Sequence, residues 1–285
     1  GSLNRLMHSG FVTLVGRPNV GKSSLVNTMC HHKVSIVSDK PQTTRHRVMG
    51  VLNKPGSQLV FVDTPGLHKP VTALGERVNA TALDSVADVD VVCLVIDATK
   101  PFGSGDKWVA GHLDMTKAVV ILNKIDAASQ QQVLAQLTAL SALGASDYFP
   151  VSAKSGKGIP ELVAFLSAQL PEGPQYFPIE TKSDQPEEQW VAELVREQLL
   201  AVTHDELPYS IATRVSEWEW PRIRVEIIVE RDSQKGMVIG KGGAVLKEVG
   251  TRARDQLPEG CFLELFVKVD KDWQRKPDRV QRLGY

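Results

Sequence analysis

The stretch that most constrains this chain is residues 16–23, which read GRPNVGKS. It fits the pattern G-x-x-x-x-G-K-[ST] of a phosphate-binding loop at every position. An apolar, β-rich run at 11–15 precedes it, and residues 24–29, which can form a helix, come after it. Because such a loop needs a strand before it and a helix after it, the sequence predicts a nucleotide site on an α/β fold. The alternative, a chance glycine turn with a surface lysine, does not explain the motifs downstream.

The residue types in this loop suit the binding of phosphate. Gly16 and Gly21 let the backbone curl so that successive N–H groups face a phosphate chain, and the next helix adds the positive end of its dipole. We predict that Lys22 reaches the β- and γ-phosphates and that the hydroxyl of Ser23 binds Mg²⁺. The other loop positions assigned to the nucleotide site are Arg17, Pro18, Asn19, Val20 and Ser24.

The composition limits what else the chain can be. Its 285 residues suggest about two domains, and 33 basic residues against 33 acidic ones leave no net charge to attract a polyanion. The cysteines, Cys30, Cys93 and Cys261, lack metal-ligand spacing, which is typical of reduced thiols in the cytosol. No apolar run reaches the roughly 18 residues of a transmembrane helix, so we expect a cytoplasmic protein.

Strand and helix signals alternate through the first part of the chain. The predicted strands are 11–15, 59–62, 90–96, 118–122 and 147–151. The predicted helices lie near 22–30, 74–87, 105–115, 129–143 and 159–170. This alternation predicts an α/β P-loop domain, a mainly parallel sheet with helices on both faces. A further strand near 47–53 is expected to pair antiparallel at an edge.

A proline-rich, aperiodic stretch then divides the chain. We predict a P-loop domain over residues 10–172, a linker over 173–186 and a smaller α+β domain over 187–285. In the second domain, a helical stripe runs from 187 to 202, and strands are predicted at 222–230 and 261–269.

The base is predicted from Asn123-Lys124-Ile125-Asp126, which comes directly after the strand at 118–122. Asp126 can accept hydrogen bonds from N1–H and the 2-amino group of guanine, whereas adenine lacks that amino group. Asn123 can meet N7, and the stem of Lys124 can lie over the base. Ser152, Ala153 and Lys154 come after the strand ending at 151, where their N–H groups can bond the guanine carbonyl. The sequence therefore predicts GTP and GDP rather than ATP.

Two further segments are placed to sense the γ-phosphate. Asp63-Thr64-Pro65-Gly66 comes after a strand, with Asp63 predicted to hold Mg²⁺ and the Gly66 N–H to contact the γ-phosphate. One threonine of Gln42-Thr43-Thr44-Arg45 should reach Mg²⁺ and the γ-phosphate, and we favour Thr44 over Thr43.

These elements, in this order, resemble the guanine-nucleotide-binding fold of translational and Ras-like GTPases. The GRPNVGKS and QTTR segments are most similar to bacterial ribosome-assembly and tRNA-modification GTPases. Leu67 stands where Ras-like enzymes place a water-orienting glutamine, so intrinsic hydrolysis is expected to be slow. The resemblance implies a K⁺ ion bound by Asn19; the alternatives are that Asn19 only caps the loop, or that His68 orients the water.

The second domain contains a second glycine loop, GMVIGKGG at 236–243. Its core, Gly240-Lys241-Gly242-Gly243, resembles the GXXG loop of KH modules, which clamps a nucleic-acid backbone. The element order α-β-β-α-α-β is similar to the type II, bacterial KH arrangement. The resemblance implies single-stranded RNA binding, for which the candidates are Val238, Ile239, Gly240, Lys241, Gly242, Gly243, Lys235, Arg252 and Trp273. Trp273 could stack on a base or pack a short C-terminal helix.

A GTPase domain with such a KH domain after it resembles the Era family of bacterial GTPases. DTPGLH at 63–68, ELPYS at 206–210 and RLGY at the end extend the similarity. The resemblance implies a slow GTPase switch that binds the single-stranded 3′ end of 16S rRNA and acts in assembly of the 30S subunit. It further implies a monomer that binds no DNA, with peripheral contact to the inner membrane. The competing interpretations are another GTPase class and an RNA-binding module whose nucleotide site barely turns over.

Overall fold

The computed structural model describes residues 7–285, and their contacts group them into two compact units. The first comprises residues 7–35, 44–69 and 78–184. The second comprises Gln185–Tyr285 together with two short segments from earlier in the chain, Ile36–Thr43 and Pro70–Arg77. Within residues 7–285, no helix is both long and apolar enough to span a bilayer.

The first unit is built on one sheet with the order β2-β3-β1-β4-β5-β6. Its strands are β1 (Met7–Gly16), β2 (Val48–Lys54), β3 (Ser57–Asp63), β4 (Val91–Asp97), β5 (Val119–Asn123) and β6 (Asp147–Pro150). Strand β2 pairs antiparallel with β3 at the edge, and the neighbours from β3 to β6 pair in parallel. The predicted α/β fold with an antiparallel edge strand is therefore confirmed.

Side chains of the central strands alternate between two cores, one on each face of the sheet. In β4, Cys93 and Val95 pack in one core and Leu94 and Ile96 in the other. A strand buried on both faces reads as a continuous apolar run, which is why the sequence revealed these strands. The helices are α1 (Lys22–Cys30), α2 (Ala73–Asp84), α3 (Ser104–Ala110), α4 (Gln130–Leu140) and α5 (Ile159–Gln169).

The stretch predicted to be a linker is hydrogen-bonded to the first unit over most of its length. Glu172–Gly173 (β7) pairs antiparallel with the start of β1. The Val51 N–H of β2 donates to the Lys182 carbonyl at 2.9 Å, and the Asp184 N–H donates to the Met49 carbonyl at 3.1 Å. Edge strands leave backbone groups that need partners, and this segment supplies them. Residues 173–184 thus contact the sheet rather than forming a free tether.

The second unit packs helices against a sheet with the order β10-β9-β8. Its helices are α6 (Glu187–Val202), α7 (Leu207–Ser210), α8 (Asp232–Ile239), α9 (Ala244–Arg254) and α10 (Pro277–Arg282). Its strands are β8 (Ala212–Glu219), β9 (Arg222–Val229) and β10 (Phe262–Val269). Strands β8 and β9 are antiparallel, and β9 and β10 are parallel. Apart from the short α7 and α10, this is the predicted α-β-β-α-α-β order.

Candidate nucleotide site and nucleic-acid interface

The glycines of the loop between β1 and α1 are required by close approach. Gly21 has a φ of 96°, and a Cβ there would lie 2.3 Å from Nδ2 of Asn123. A Cβ on Gly16 would lie 2.7 Å from the Val95 carbonyl oxygen, and one on Gly66 would lie 2.6 Å from the Pro18 backbone. The loop is thus packed between the ends of neighbouring strands, with Gly66 directly against it.

Lys22 is the first residue of α1, directly after this loop, and is buried. Its Nζ donates to the Arg17 carbonyl at 3.0 Å and to the Gly16 carbonyl at 3.4 Å. Burial lowers the pKa of Lys22 to about 8, partly offset by the charge of Asp63. The ammonium is therefore held among carbonyl oxygens, and phosphate oxygens would be stronger acceptors for it.

Three oxygen-bearing side chains meet beside Lys22. The Ser23 hydroxyl donates to Oδ2 of Asp63 at 2.6 Å and lies 2.9 Å from Oγ1 of Thr44. Asp63 is completely buried, and its Oδ1 makes no hydrogen bond within the described chain, 7–285. Burial raises the pKa of Asp63, opposed by the hydrogen bond from Ser23 and by the charge of Lys22. An all-oxygen set with an unpartnered carboxylate atom fits Mg²⁺, which prefers hard oxygen ligands.

The structure distinguishes the two adjacent threonines. Thr43 is buried and its hydroxyl donates to the Lys40 carbonyl at 2.7 Å. The Thr44 hydroxyl instead lies beside Ser23. Of the two, Thr44 is therefore the one whose hydroxyl lies beside Ser23, and the assignment of Thr44 to Mg²⁺ and the γ-phosphate stays a prediction.

Asn123, at the end of β5, connects two loops of the site. Its Nδ2 donates to the Val20 carbonyl at 3.0 Å, and its Oδ1 accepts from the Ala153 N–H at 3.1 Å. One Nδ2 proton remains for N7 of a base. The phosphate loop and the Ser152–Lys154 loop are thus held at a fixed separation by one side chain.

The remaining base-recognition residues are positioned by their own partners. Lys124 has a φ of 68°, and its Nζ donates to the Asn19 carbonyl at 2.7 Å and to Oδ2 of Asp97 at 3.1 Å. Asp126 is exposed, and its Oδ1 accepts a hydrogen bond from Ser152 at 2.8 Å. The carboxylate is therefore oriented and open to solvent, as a guanine contact requires.

Some predicted contacts have a structural role instead. The Thr64 hydroxyl is buried and donates to the Leu14 carbonyl at 2.7 Å, and Pro65 is buried as well. Both residues fix the chain that carries Gly66. Leu67 is 1% exposed and packs in the core with Val15 and Leu94, so it cannot contact an attacking water.

The sequence alone did not reveal two carboxylates of this site. Asp97 pairs with Lys124, and Asp106 pairs with Arg17 at 2.8 Å. Both carboxylates are buried, at the end of β4 and at the start of α3. Asp97 could have been identified from the sequence by its position at the end of a parallel strand, where ligands bind in such sheets. Asp106 lacked any signal, because its partner is distant in sequence.

The second glycine loop joins α8 to α9. Gly240 has a φ of 76°, and a Cβ there would lie 2.4 Å from Cγ2 of Val245. Gly242 and Gly243 also have positive φ, with nothing within 4 Å of an added Cβ. Lys241, between the glycines, is exposed. A bare, open backbone with an exposed ammonium suits the close approach of a sugar-phosphate chain.

Other predicted nucleic-acid contacts differ in the structure. Val238 is 0% exposed in the core of the second unit, because it lies on the inner face of α8, so it supports the loop instead of contacting RNA. Ile239 is partly buried against the same core, and Lys235 is half-buried. Arg252 is exposed and pairs with Glu248 at 2.7 Å on α9. Lys241 and Arg252 are thus the accessible cations of the predicted set.

The prediction that Trp273 stacks on a base is wrong. The ring is 0% exposed, its Nε1 donates to the Ser210 carbonyl at 2.8 Å, and it stacks on Tyr285 with centroids 6.1 Å apart. The indole N–H finds its partner inside the protein, which fixes the tryptophan in the core. The alternative, that it packs the C-terminal region, is the one observed.

We expect Trp273→Leu to lower the free energy of unfolding by about 3 kcal/mol, since it removes buried area and leaves the Ser210 carbonyl unpaired. Urea unfolding monitored by circular dichroism measures this loss. The folded variant should keep its RNA affinity. Leucine cannot stack on a base, but the buried ring of Trp273 does not contribute to the RNA-facing surface. A tenfold loss of RNA affinity in the folded variant would instead show that Trp273 stacks on an RNA base.

Comparison with known proteins agrees with these two sites. Residues 11–124 match the family described as "50S ribosome-binding GTPase", and residues 206–274 match the KH domain. GTPase Era of Mycobacterium tuberculosis H37Rv is 46% identical over 297 residues, covering 98% of this chain and 99% of that protein. The chain belongs to the Era family of GTPases. GTPase Era of Heliobacterium modesticaldum is 43% identical, covering 98% and 97% of the two chains.

Solved Era structures extend the likeness to the fold. Era in complex with MgGDPNP and nucleotides 1506–1542 of 16S ribosomal RNA matches with a TM-score of 0.93 at 38% identity, covering 98% of this chain and 99% of that one. A variant of Aquifex aeolicus Era bound to GDP and AlF₄⁻ matches with a TM-score of 0.92 at 37% identity, with the same coverage. The Era family thus accounts for both loops in one chain.

Proposed function

We propose that this chain is a GTP-hydrolysing switch that binds the single-stranded 3′ end of 16S rRNA and acts in assembly of the 30S subunit. The observation that carries the proposal is the presence of two preformed ligand loops in one chain. The first holds Lys22, Ser23, Asp63 and Thr44 together, and the second exposes Lys241 between glycines. The solved Era complex, which contains both a GTP analogue with Mg²⁺ and this RNA segment, supports the assignment.

At the nucleotide site, the residues of the chain divide the work. Lys22 binds the β- and γ-phosphates, while Asp126 and Asn123 select guanine. Ser23 and Thr44 would hold Mg²⁺, with Asp63 behind them. When bound, Mg²⁺ neutralises charge that develops on the phosphate oxygens. The Gly66 N–H, fixed against the phosphate loop by close packing at Pro18, reports the γ-phosphate.

Hydrolysis needs a group that Leu67 cannot supply. We assign Asn19 as a ligand for K⁺ at this position. Asn19 has a φ of 66°, a conformation that asparagine tolerates better than most residues. The backbone geometry alone could therefore explain why asparagine occupies this position. Asn19→Gly keeps that conformation and removes the side-chain amide, which makes it a clean variant.

With Asn19→Gly, we expect GTP hydrolysis to be no faster in potassium chloride than in sodium chloride at equal ionic strength. In the native chain, K⁺ should accelerate hydrolysis about tenfold by neutralising charge at the phosphates. Phosphate release measures both rates, and binding of a fluorescent GTP analogue checks that the variant keeps its nucleotide affinity. Stimulation that survives the substitution would assign Asn19 a loop-capping role only.

The proposal is tested by binding of a short RNA that matches the 3′ end of 16S rRNA, first with GDP and then with a non-hydrolysable GTP analogue. Tighter binding with the analogue is expected, and equal binding would contradict a switch. The buried Leu67 favours a second candidate, an RNA-binding module with a static nucleotide site. Multiple-turnover phosphate release separates the two, because a static site releases no more than one equivalent.

We place the protein in the cytoplasm, where ribosomal subunits are assembled. Peripheral contact with the inner membrane face and a monomeric state remain predictions from the family.

A further inference from the structure

One face of α6 holds the segment Ile36–Thr43, which precedes Thr44 in the chain and belongs to the second unit. The Val37 N–H donates to Oε2 of Glu197 at 2.9 Å, and Nζ of Lys40 donates to the Leu200 carbonyl at 2.6 Å. Nη2 of Arg196 donates to the Thr43 carbonyl. The helix positions 193, 196, 197 and 200 have a spacing that lies on one helical face. The segment is therefore fixed to α6 at several points.

The contact at Thr43 is made by a buried ion pair. Arg196 is 1% exposed and Glu193 is 6% exposed. Nε and Nη2 of Arg196 donate to Oε2 of Glu193 at 2.9 and 2.8 Å. Nη1 of Arg196 makes no hydrogen bond within residues 7–285. A buried pair with an unpartnered donor is a poor way to stabilise a fold, since apolar residues of similar volume often do as well or better. Stability alone therefore does not explain this pair.

Resting on the proposed function, we propose that Arg196 is a positioning residue that couples the nucleotide site to RNA binding. The peptide bond is planar, so the Thr43 carbonyl and the Thr44 N–H share one rigid unit. Arg196 bonds that carbonyl, and the next residue is the one placed to bind Mg²⁺ and the γ-phosphate. Holding the carbonyl therefore sets the orientation of the Thr44 N–H. Conversely, a nucleotide that orders Thr44 favours the arrangement in which Arg196 and Thr43 are joined.

The coupling has to be reciprocal. If a GTP analogue raises RNA affinity by some factor through this contact, RNA raises the affinity for the analogue by the same factor. GDP lacks the γ-phosphate that Thr44 would contact, so it should leave RNA affinity at its basal value. The contact thus distinguishes the two nucleotide states without touching the RNA.

The test uses the full chain and the ratio of RNA dissociation constants measured with GDP and with the GTP analogue. The double variant Glu193→Met/Arg196→Met removes both charges of the pair together, so neither partner is left without the other. Arg196→Lys keeps the charge but loses the fork that bonds Glu193 and Thr43 together. Arg222→Gln, which breaks a pair with Glu264 in the same unit, is the matched control.

We expect the native chain and Arg222→Gln to share one ratio above one. In the double variant, the ratio of RNA dissociation constants with GDP and with the GTP analogue should fall to within about twofold of one. In Arg196→Lys, this ratio should be at least about threefold lower than in the native chain. In both variants RNA affinity with GDP and circular dichroism should be unchanged, which excludes misfolding. If both keep the native ratio, the coupling role is overturned while the proposed function stands. If the native ratio itself is one, the proposed function fails and this inference fails with it.

Discussion

Asp126→Asn will lower the affinity for GTP by about 10³-fold or more. In the proposed site the carboxylate accepts two hydrogen bonds from guanine, and an amide in its place would present a donor to the 2-amino group, leaving polar groups unpaired. The structure shows this carboxylate exposed and oriented by Ser152 at 2.8 Å. Isothermal titration with a non-hydrolysable GTP analogue measures the loss.

The same variant should gain affinity for the xanthosine nucleotide. Xanthine carries a carbonyl oxygen where guanine carries the 2-amino group, and the new amide can donate to that oxygen. Asp84→Asn, an exposed carboxylate on α2, is the control and should keep GTP affinity. Loss of binding to both nucleotides would point to a damaged loop, and retained GTP binding would show that Asp126 does not recognise the base.

Lys241→Asp will lower the affinity for the 16S 3′-end RNA by about 30- to 100-fold, because it removes one phosphate contact and adds a repulsive charge. Lys241 is exposed between glycines of positive φ, so the substitution strains no backbone and fills no core. Fluorescence anisotropy measures the affinity. The slope of log affinity against log salt should fall in magnitude by roughly 0.7, the value for one lost contact on a single strand.

Lys54→Asp, at the exposed end of β2, makes the same charge change away from the loop and should cost less than about threefold in RNA affinity. GTP hydrolysis without RNA should be unchanged in both variants. If the two substitutions weaken RNA binding equally, binding depends on overall charge and the GXXG loop is not the contact.

Much of this molecule could be predicted from its sequence because local rules and the fold agree. The central strands are apolar on both faces, and every nucleotide motif except Gln42–Arg45 lies at the end of a strand or directly after it, so order along the chain gave position in space. The edge strand β2 was also predictable, since its partly apolar stretch precedes a tight turn at Gly56.

The features that could not be predicted depend on partners distant in the chain. Trp273 lies among basic residues, a pattern that looks like a nucleic-acid surface, yet its N–H bonds the Ser210 carbonyl in the core. Arg196 lies in a charged, helical stretch, and only the structure shows that it is buried on Thr43. Residues 173–184 carry no side-chain period because their pairing with the sheet uses backbone groups.

That pairing has a practical consequence for anyone who separates the two units. An uncovered edge strand is a template on which a second chain can add, the usual start of aggregation. Cutting the chain at residue 172 would strip the partners from Met49 and Val51 and leave β2 open to such addition. Cutting after Asp184 keeps the strand covered. Residues 173–184 therefore protect the GTPase sheet from self-association as well as joining it to the KH domain.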